Sequence, residues 1–384
     1  MTPEQTPTRR VSRGRLGRAH QQDPTCPPEQ QRRQSQLAFA ASSAELEVGS
    51  LAGCPLPLEH LLATRPGSPW VRRHFAGGLT AEVYQLEASG RLWTLKRARN
   101  PCKVQNPDGQ TSFLNEVQRR GELQALKRQA DWHEALAGIV ETRYASYRRG
   151  LLLSPWIAGE AISEWDERRL LQLFDTLLAL LQLGFFEWDL CPGNLLDDGR
   201  IRLFDFGYMY RFDPLRACNS NGLLTPQHHG AERFETRCYY AYLLGLERER
   251  GQSAALAALE LEKRIALECY QRLRSRLIKR GASASVLAWL GGIIGQWHTA
   301  LRGGLDGLYL REAWRSHLSD LEDDLGGQTC TALTLQRIDW LQQCLHECGA
   351  QLQHLELLAG RTPDAWRAVL ERALQQAHEW QVRE

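Results

Sequence analysis

The stretch that decides the fold reads Asp189-Leu190-Cys191-Pro192-Gly193-Asn194, followed after an apolar run by Leu203-Phe204-Asp205-Phe206-Gly207. A carboxylate at 189 can accept the proton of an attacking hydroxyl, and an amide oxygen at 194 can ligate a hard cation without adding charge. Pro192 and Gly193 favour a tight turn that aims both side chains at one point. Asp205 ends a buried-strand pattern, where a carboxylate is costly unless it holds a cation. The two motifs together indicate chemistry on phosphate groups.

A lysine upstream of these motifs completes the pattern. Lys96 closes the strand-like run 92–96, in a chain that has only five lysines against 42 arginines. An ammonium group is a compact point charge that can reach between phosphates, whereas a guanidinium forks onto carboxylates. Glu116, 20 residues further on a predicted helix, is the expected carboxylate partner of Lys96. Glu122, on nearly the opposite face of the same helix, is the alternative.

These residues resemble the protein-kinase-like superfamily over roughly residues 70–211. The resemblance implies an α+β fold of two lobes, a small β-rich N-lobe and a large helical C-lobe, with ATP and Mg²⁺ bound between them. It assigns Asp189 and Lys96 to catalysis, and Asn194 and Asp205 to the metal. The residues predicted to bind the nucleotide are Gly77, Gly78, Val83, Lys96, Glu116 and Trp156.

Three features depart from the family pattern. The glycine-rich loop, residues 76–83, keeps only its middle glycine at Gly78 and has an extra Gly77. Glu187-Trp188 stands where the family has His-Arg before the catalytic aspartate, so control by a phosphorylated activation loop is not expected. No A-P-E tripeptide follows. These departures are similar to aminoglycoside-, choline- and lipopolysaccharide-sugar-kinase-like branches, and also to atypical bacterial protein kinases.

The acceptor therefore stays open among several classes. Transfer of the γ-phosphate of ATP to a serine or threonine hydroxyl of a protein is slightly favoured over transfer to a sugar or small molecule. A catalytically silent pseudokinase that acts as a scaffold is the alternative from a different class, since the glycine loop is degenerate. The complete set of Lys96, Glu116, Asp189, Asn194 and Asp205 opposes it, because a scaffold needs none of them. Nucleotidyl transfer is a third alternative.

Composition divides the chain into three parts. Residues 1–66 are predicted to be a disordered basic tail and linker, because the first 33 residues are rich in arginine and poor in large apolar side chains. Residues 67–155 are predicted to be the N-lobe, and residues 156–384 the helical C-lobe with a C-terminal helical extension. The basic tail is a candidate for contact with an anionic surface.

Bulk properties exclude some classes of protein. The net charge of +2 gives no overall attraction to nucleic acid or membrane. No apolar stretch is long enough to span a bilayer, and the ten cysteines lack the spacing of a disulfide framework. We therefore expect a cytoplasmic protein, with peripheral association with the inner membrane face as the alternative.

The pattern along residues 83–154 predicts one hairpin, one helix and two further strands. The hairpin strands cover 83–86 and 92–96, the helix about 112–128, and the later strands 139–147 and 151–154. Three other groups suggest sites but favour simpler interpretations. His228-His229 is expected to be solvated, the Cys344/His346/Cys348 group to be ordinary helix residues, and Asp323-Asp324 to be an exposed acidic face.

Overall fold

The computed structural model describes residues 26–104 and 106–382, a mixed α+β chain with its main β-sheet in the N-terminal part and mostly helices after it. The strands are β1 (Glu47–Gly49), β2 (Val71–Phe75), β3 (Ala81–Ala88), β4 (Arg91–Ala98), β5 (Tyr144–Ser146), β6 (Leu151–Pro155), β7 (Phe185–Glu187), β8 (Leu195–Asp197), β9 (Ile201–Leu203) and β10 (Met209–Arg211). The helices are α1 (Pro28–Ala41), α2 (Leu58–Ala63), α3 (Pro107–Lys127), α4 (Ala130–His133), α5 (Glu167–Leu183), α6 (Gly230–Phe234), α7 (Tyr240–Arg250), α8 (Gln252–Lys279), α9 (Ala284–Gly303), α10 (Asp306–Gly327), α11 (Ala332–His354) and α12 (Pro363–Glu379).

The main sheet has six antiparallel strands in the order β1-β5-β6-β4-β3-β2. Its longest pairing is the β3–β4 hairpin, whose turn residues Ser89 and Gly90 have φ of 53° and 68°. Two successive positive φ values are typical of the tight hairpin turn that matches the twist of the flanking strands. The register that this turn fixes places Val83 opposite Lys96. The predicted hairpin is therefore present, with longer strands than the pattern suggested.

Both faces of this sheet are covered, and β6 shows how. Leu152 packs with Phe113 and Val117 of α3 on one face. Leu151 and Leu153, which alternate with it, belong to the cluster on the other face that includes Leu61 of α2. Successive strand residues point to opposite faces, so a continuous leucine run is what a strand buried on both sides requires.

Helix α3 begins at Pro107, five residues before the predicted start. The side chain of Asn106 accepts a hydrogen bond from the Gly109 amide at 2.8 Å, and Pro107 is the first helical residue. Asn is among the preferred N-caps, and proline suits the first position because its missing N–H would be unpaired there. Asn106 and Pro107 are thus the start signal of the helix.

Part of the predicted tail and linker is ordered in the structure. Residues 28–41 form α1, which packs on α3, and residues 47–49 form the edge strand β1. Two of the charges that suggested disorder are neutralised, since Arg32 and Arg33 both form ion pairs with Asp108 of α3, at 2.7 and 2.5 Å. The Arg32 guanidinium also lies 3.5 Å from the centroid of the Tyr210 ring. The predicted disorder of residues 1–25 falls outside the described residues.

The helical part is built around α5, whose leucine-rich sequence lies in the largest apolar cluster together with α8 and α9. Helix α5 ends at Gly184, whose φ of 75° is the left-handed cap that glycine adopts without strain. Helices α10, α11 and α12 form a second cluster around Trp314, Leu341 and Trp366. No helix among the described residues is long and apolar enough to cross a membrane.

Candidate functional site

Lys96 lies at the centre of a buried charge cluster. Its Nζ donates to both carboxylate oxygens of Glu116 at 3.0 Å and to Oδ2 of Asp205 at 2.8 Å. Burial lowers the pKa of Lys96, but the carboxylates of Asp205 and Glu116 outweigh it and the net pKa is raised. Burial likewise raises the pKa of Asp205, and Lys96 more than reverses that, so Asp205 stays ionised. Lys96, Glu116 and Asp205 therefore form one cluster of charged side chains, although Lys96 and Asp205 are 109 residues apart in sequence.

The exposure of these groups is uneven. The side chains of Lys96 and Glu116 are 8% and 5% exposed, whereas that of Asp205 is 36% exposed. Glu122, the alternative partner, instead contacts Arg119 and Arg211 on the other side of α3. Solvent thus reaches the cluster at the Asp205 carboxylate, so a ligand entering from solvent would meet this group first.

Helix α3 supports the cluster from behind. Arg120, one helical turn after Glu116, pairs with it at 2.9 Å and also donates to the carbonyl of Phe204. Asn115 directs its amide nitrogen to the carbonyls of Phe206, Gly207 and Met209, at 3.0, 3.0 and 2.7 Å. The Asn115 side chain thus contacts three carbonyls of the turn that follows Asp205. Helix α3 therefore holds the backbone both before Asp205, at Phe204, and after it.

Asp189 and Asn194 are joined by the turn between them. The Asn194 amide donates to the backbone oxygen of Asp189 at 2.9 Å and to its Oδ2 at 3.3 Å. Pro192–Asn194 form a single 3₁₀ turn, as the Pro-Gly pair predicts. The amide oxygen of Asn194 has no hydrogen-bond partner among the described residues.

Two small antiparallel pairings bring this turn to Asp205. In the β8–β9 pair Leu195 lies opposite Leu203, so Asn194 and the segment leading to Asp205 leave the same end of the hairpin. In the β7–β10 pair Glu187 lies opposite Met209. Asp189 follows β7 and Asp205 precedes β10, which places both beside the same pairing. Asp189, Asn194 and Asp205 are thus carried by the adjoining ends of two short strand pairings.

Arg237 is a site residue that the sequence did not indicate. It donates through Nε and Nη2 to Oδ1 of Asp189, both at 3.2 Å, and through Nη1 to Asp320 of α10 at 2.8 Å. Asp320 is buried and is also held by Arg337 of α11. Burial lowers the pKa of Arg237, but Asp320 and Asp189 raise it further, so the guanidinium stays charged. A chain of alternating charges therefore runs from Asp189 into the C-terminal helices.

Glu187 stands where the resemblance led us to expect histidine, and it is buried. Its Oε1 accepts a hydrogen bond from the Asp189 amide at 2.9 Å, while Oε2 has no partner within the described chain. Burial, together with nearby Asp189 and Asp205, raises the pKa of Glu187 well above its usual range. Protonation of this carboxyl group is therefore favoured, and its hydrogen bond orients the backbone of Asp189.

The residues of the predicted nucleotide loop are held by Arg99. Its guanidinium donates to the carbonyls of Gly78 and Ala76, at 2.8 and 2.7 Å. A Cβ on Gly78 would lie 2.3 Å from the Ala81 carbonyl, whereas Gly77 has open space. Gly78 is thus required by a close backbone approach, which explains why this glycine is the one that the loop keeps.

Two further residues of the predicted nucleotide site, Val83 and Trp156, lie within β3 and directly after β6. Val83 is half-buried directly across from Lys96. Trp156 follows β6, and its ring stacks against Phe75 of β2 with 6.1 Å between centroids. These two side chains are the apolar candidates for contact with a nucleotide base.

The other groups noted in the sequence serve structural contacts. His229 is bonded to the Tyr270 hydroxyl at 2.9 Å, and burial lowers the pKa of His229 to about 4. The expectation of a solvated pair is therefore not met at this residue. Cys344 packs in the core of the C-terminal helices. Asp323 is exposed as expected and lies 3.7 Å from Arg237. The expectation is wrong for Asp324, which is only 20% exposed, accepts a hydrogen bond from Thr334 at 2.6 Å and lies 3.6 Å from Arg337.

The donor set fits a magnesium ion that is shared with phosphates. Asn194 and Asp205 offer hard oxygen donors, and Mg²⁺ usually takes one or two protein ligands plus phosphates and water. No cluster of three or more His, Cys, Asp or Glu in the described residues could hold a metal without such help. A metal bound here would therefore depend on a co-bound anionic ligand.

Comparison with known proteins finds a similarity in structure but no match in sequence. No protein-family model matches the chain, and no curated protein matches it. Among solved structures, the chain is similar to the PknI kinase domain of Mycobacterium tuberculosis, with 16% identity and a TM-score of 0.31, over 61% of this chain and 99% of that chain. Any functional assignment must therefore rest on the geometry of the site itself.

Proposed function

We propose that this chain is an ATP- and Mg²⁺-dependent phosphotransferase with a two-lobed, protein-kinase-like fold, and that it transfers the γ-phosphate to a hydroxyl group. The observation that carries the proposal is the contact of Lys96 with Glu116 and Asp205, at 3.0 and 2.8 Å, beside the Asp189–Asn194 turn. Phosphoryl transfer requires mainly positioned phosphates and groups that offset developing charge, and these residues offer both.

Lys96 would bind the inner phosphates of the nucleotide. All three of its protons are engaged by Glu116 and Asp205. A phosphate would therefore replace Asp205 as an acceptor, while Glu116, which Arg120 also holds, would keep the ammonium in place. Asp205 would then be free to hold the metal.

Asn194 and Asp205 would hold Mg²⁺, which when bound neutralises charge on the phosphates. The nucleotide would also contact Gly77, Gly78, Val83 and Trp156. Asp189 would receive the proton of the acceptor hydroxyl, since its Oδ2 lies beside the Asn194 amide and its Oδ1 is fixed by Arg237. A base that is held on two sides keeps the orientation that proton transfer needs.

A nucleotide-binding experiment separates this function from a silent scaffold. The thermal midpoint of the purified protein is measured with ATP, with Mg²⁺, and with both. We expect the largest rise with both, and a much smaller rise in D205A. No rise in the wild type under any of these conditions would exclude the enzyme.

Labelling identifies the acceptor. The protein is incubated with γ-labelled ATP and a whole-cell lysate that is then separated into protein, lipid and metabolite fractions. We propose a serine or threonine of a protein as the acceptor, so label is expected in the protein fraction and is absent with D189N. Label confined to glycolipid or metabolites would assign the chain to the sugar or small-molecule kinases instead.

A further inference from the structure

A cavity of about 840 Å³ lies beside the C-terminal end of α3. We call it the α3-end cavity. Its walls come from residues 52–55, from Ser89, Arg91 and Trp93 at the β3–β4 hairpin, from Leu123, Gln124, Lys127 and Arg128 of α3, from His133, from residues 139–143, and from Pro155. None of the predicted phosphotransfer residues lines it. Its volume is in the range of small-molecule sites in proteins.

The charge of the cavity is strongly one-sided. Arg91, Lys127, Arg128 and Arg143 line it, against one carboxylate, Glu141. None of these four cations forms an ion pair with a carboxylate anywhere in residues 26–104 or 106–382.

Neighbouring cations behave differently. Arg120 on the same helix pairs with Glu116, and Arg200 pairs with Glu134 at 2.8 Å. Lys127 and Arg143 instead donate to backbone carbonyls, of Ile139 and Gly53, so four cations without a carboxylate partner in the described chain line one cavity. Cations that line a concave surface concentrate anions from solution.

The cavity wall also includes polar groups that are buried or half-buried, namely the ammonium of Lys127 and the hydroxyl of Thr142. Lys127 is half-buried and donates to the Ile139 carbonyl at 2.8 Å. Burial lowers its pKa, with Glu141 opposing this and Arg202 and Arg200 adding to it. Thr142 is only 4% exposed, and its hydroxyl has no hydrogen-bond partner in the described residues. The wall therefore places an ammonium group and an unpaired hydroxyl beside the cavity.

We propose that the α3-end cavity binds a small organic molecule that carries two or more phosphate groups. Three arginines can each fork onto phosphate oxygens and Lys127 can add a point charge. The apolar part of the wall, including Trp93 and Pro155, suits the organic portion. Because six separate chain segments line the space, a compact ligand fits it better than an extended polymer.

The direct test is calorimetric titration with inorganic tripolyphosphate as the probe. The principal variant is R91Q/R128Q, because both side chains are exposed and neither makes a side-chain hydrogen bond with another described residue, so folding is preserved. We expect the wild type to bind and the variant to bind at least about tenfold more weakly, since two charge-assisted contacts are lost. Absence of binding by the wild type at millimolar probe would overturn the proposal.

Three control variants distinguish binding in this cavity from a general effect of surface charge and from binding at the nucleotide site. R264Q/R302Q removes two exposed charges on α8 and α9 far from the lining residues, and should leave binding unchanged. K96M tests the proposed nucleotide site, and should also retain binding at the α3-end cavity. A52W keeps every charge but fills the space, and should abolish binding. Equal losses in R91Q/R128Q and R264Q/R302Q, loss in K96M, or normal binding by A52W would each contradict the proposal.

Discussion

At the scale of single residues, Lys96 is the most informative side chain in the chain. It is buried, and its contacts reach two elements that are far apart in sequence. We expect K96M to lower kcat/KM for ATP by at least about a hundredfold, because a preorganised charge at the phosphates is lost. Steady-state kinetics would measure this.

The matched control is K279M, which removes an exposed lysine at the end of α8 and should leave the rate unchanged. Circular dichroism would test whether K96M is folded. We expect it to be, because Arg120 still pairs with Glu116. A folded K96M that keeps full activity would remove Lys96 from the proposed mechanism.

Under the proposed function Arg237 is a positioning residue, because it contacts Asp189 and none of the predicted phosphate or metal residues. R237A should therefore lower kcat by about tenfold or more while the KM for ATP changes little, because a misplaced base affects the transition state and not nucleotide binding. R237K, which keeps one charge but loses the fork, should recover part of the rate. An R237A variant in which only KM rises would show that Arg237 serves nucleotide binding instead.

At the scale of elements, the coupling between α3 and the Phe206–Met209 turn depends on Asn115. Its amide meets three carbonyls, and its own oxygen accepts a hydrogen bond from Gln36 of α1 at 3.1 Å. In N115A the Phe206 carbonyl keeps the Met209 amide as a donor at 3.2 Å, but the carbonyls of Gly207 and Met209 lose the Asn115 amide. This loss costs about 2 kcal/mol in the free energy of unfolding. Urea denaturation measures the change.

Q118A is the control for this prediction, since Gln118 lies on the same helix, is half-buried, and has no hydrogen-bond partner among the described side chains. Its free energy of unfolding should change by less than about 0.5 kcal/mol. Equal effects of the two substitutions would mean that Asn115 contributes only through helix propensity.

The elements also show which parts of the molecule the sequence could predict. The β3–β4 hairpin, α3 and the Asp189–Asn194 turn follow from local patterns, and the contacts of Lys96 follow from motif spacing. Arg237 lies 48 residues from Asp189 and 83 from Asp320, so no periodicity or motif connects them. Helix α1 could not be predicted for a different reason. Its arginines suggest disorder, and the carboxylate that pairs with Arg33, Asp108, lies 75 residues further along the chain.

At the scale of the whole molecule, buried histidines make stability depend on pH. His317 is buried against the rings of Tyr240 and Trp340, and neither of its nitrogens has a hydrogen-bond partner in the described residues. Burial lowers the pKa of His317 to about 3, and nearby Arg337 contributes to the lowering. In the unfolded chain this histidine binds a proton below its ordinary pKa of 6.5, whereas in the folded chain it stays neutral until the pH approaches 3. The stability that neutral His317 contributes is therefore complete above pH 6.5 and is lost as the pH falls towards 3.

H317L should therefore make the protein less sensitive to acid. Between pH 7 and pH 5 the wild type should lose about 2 kcal/mol more in the free energy of unfolding than H317L does, from the linkage of one histidine. Urea melts at the two pH values measure the difference. The prediction fails if both proteins lose stability equally over this interval.

The ion pairs from Asp189 through Arg237 to Asp320 and Arg337 have a consequence for how this protein can diversify. A recombination event that exchanged everything after α9 for an unrelated helical segment would remove Asp320 and leave Arg237 with Asp189 as its partner. Such a hybrid would retain the proposed nucleotide-facing residues but lose the support of Arg237 by α10. Under the proposed function, we expect such exchanges to be tolerated best where the new segment supplies an acid at the place of Asp320.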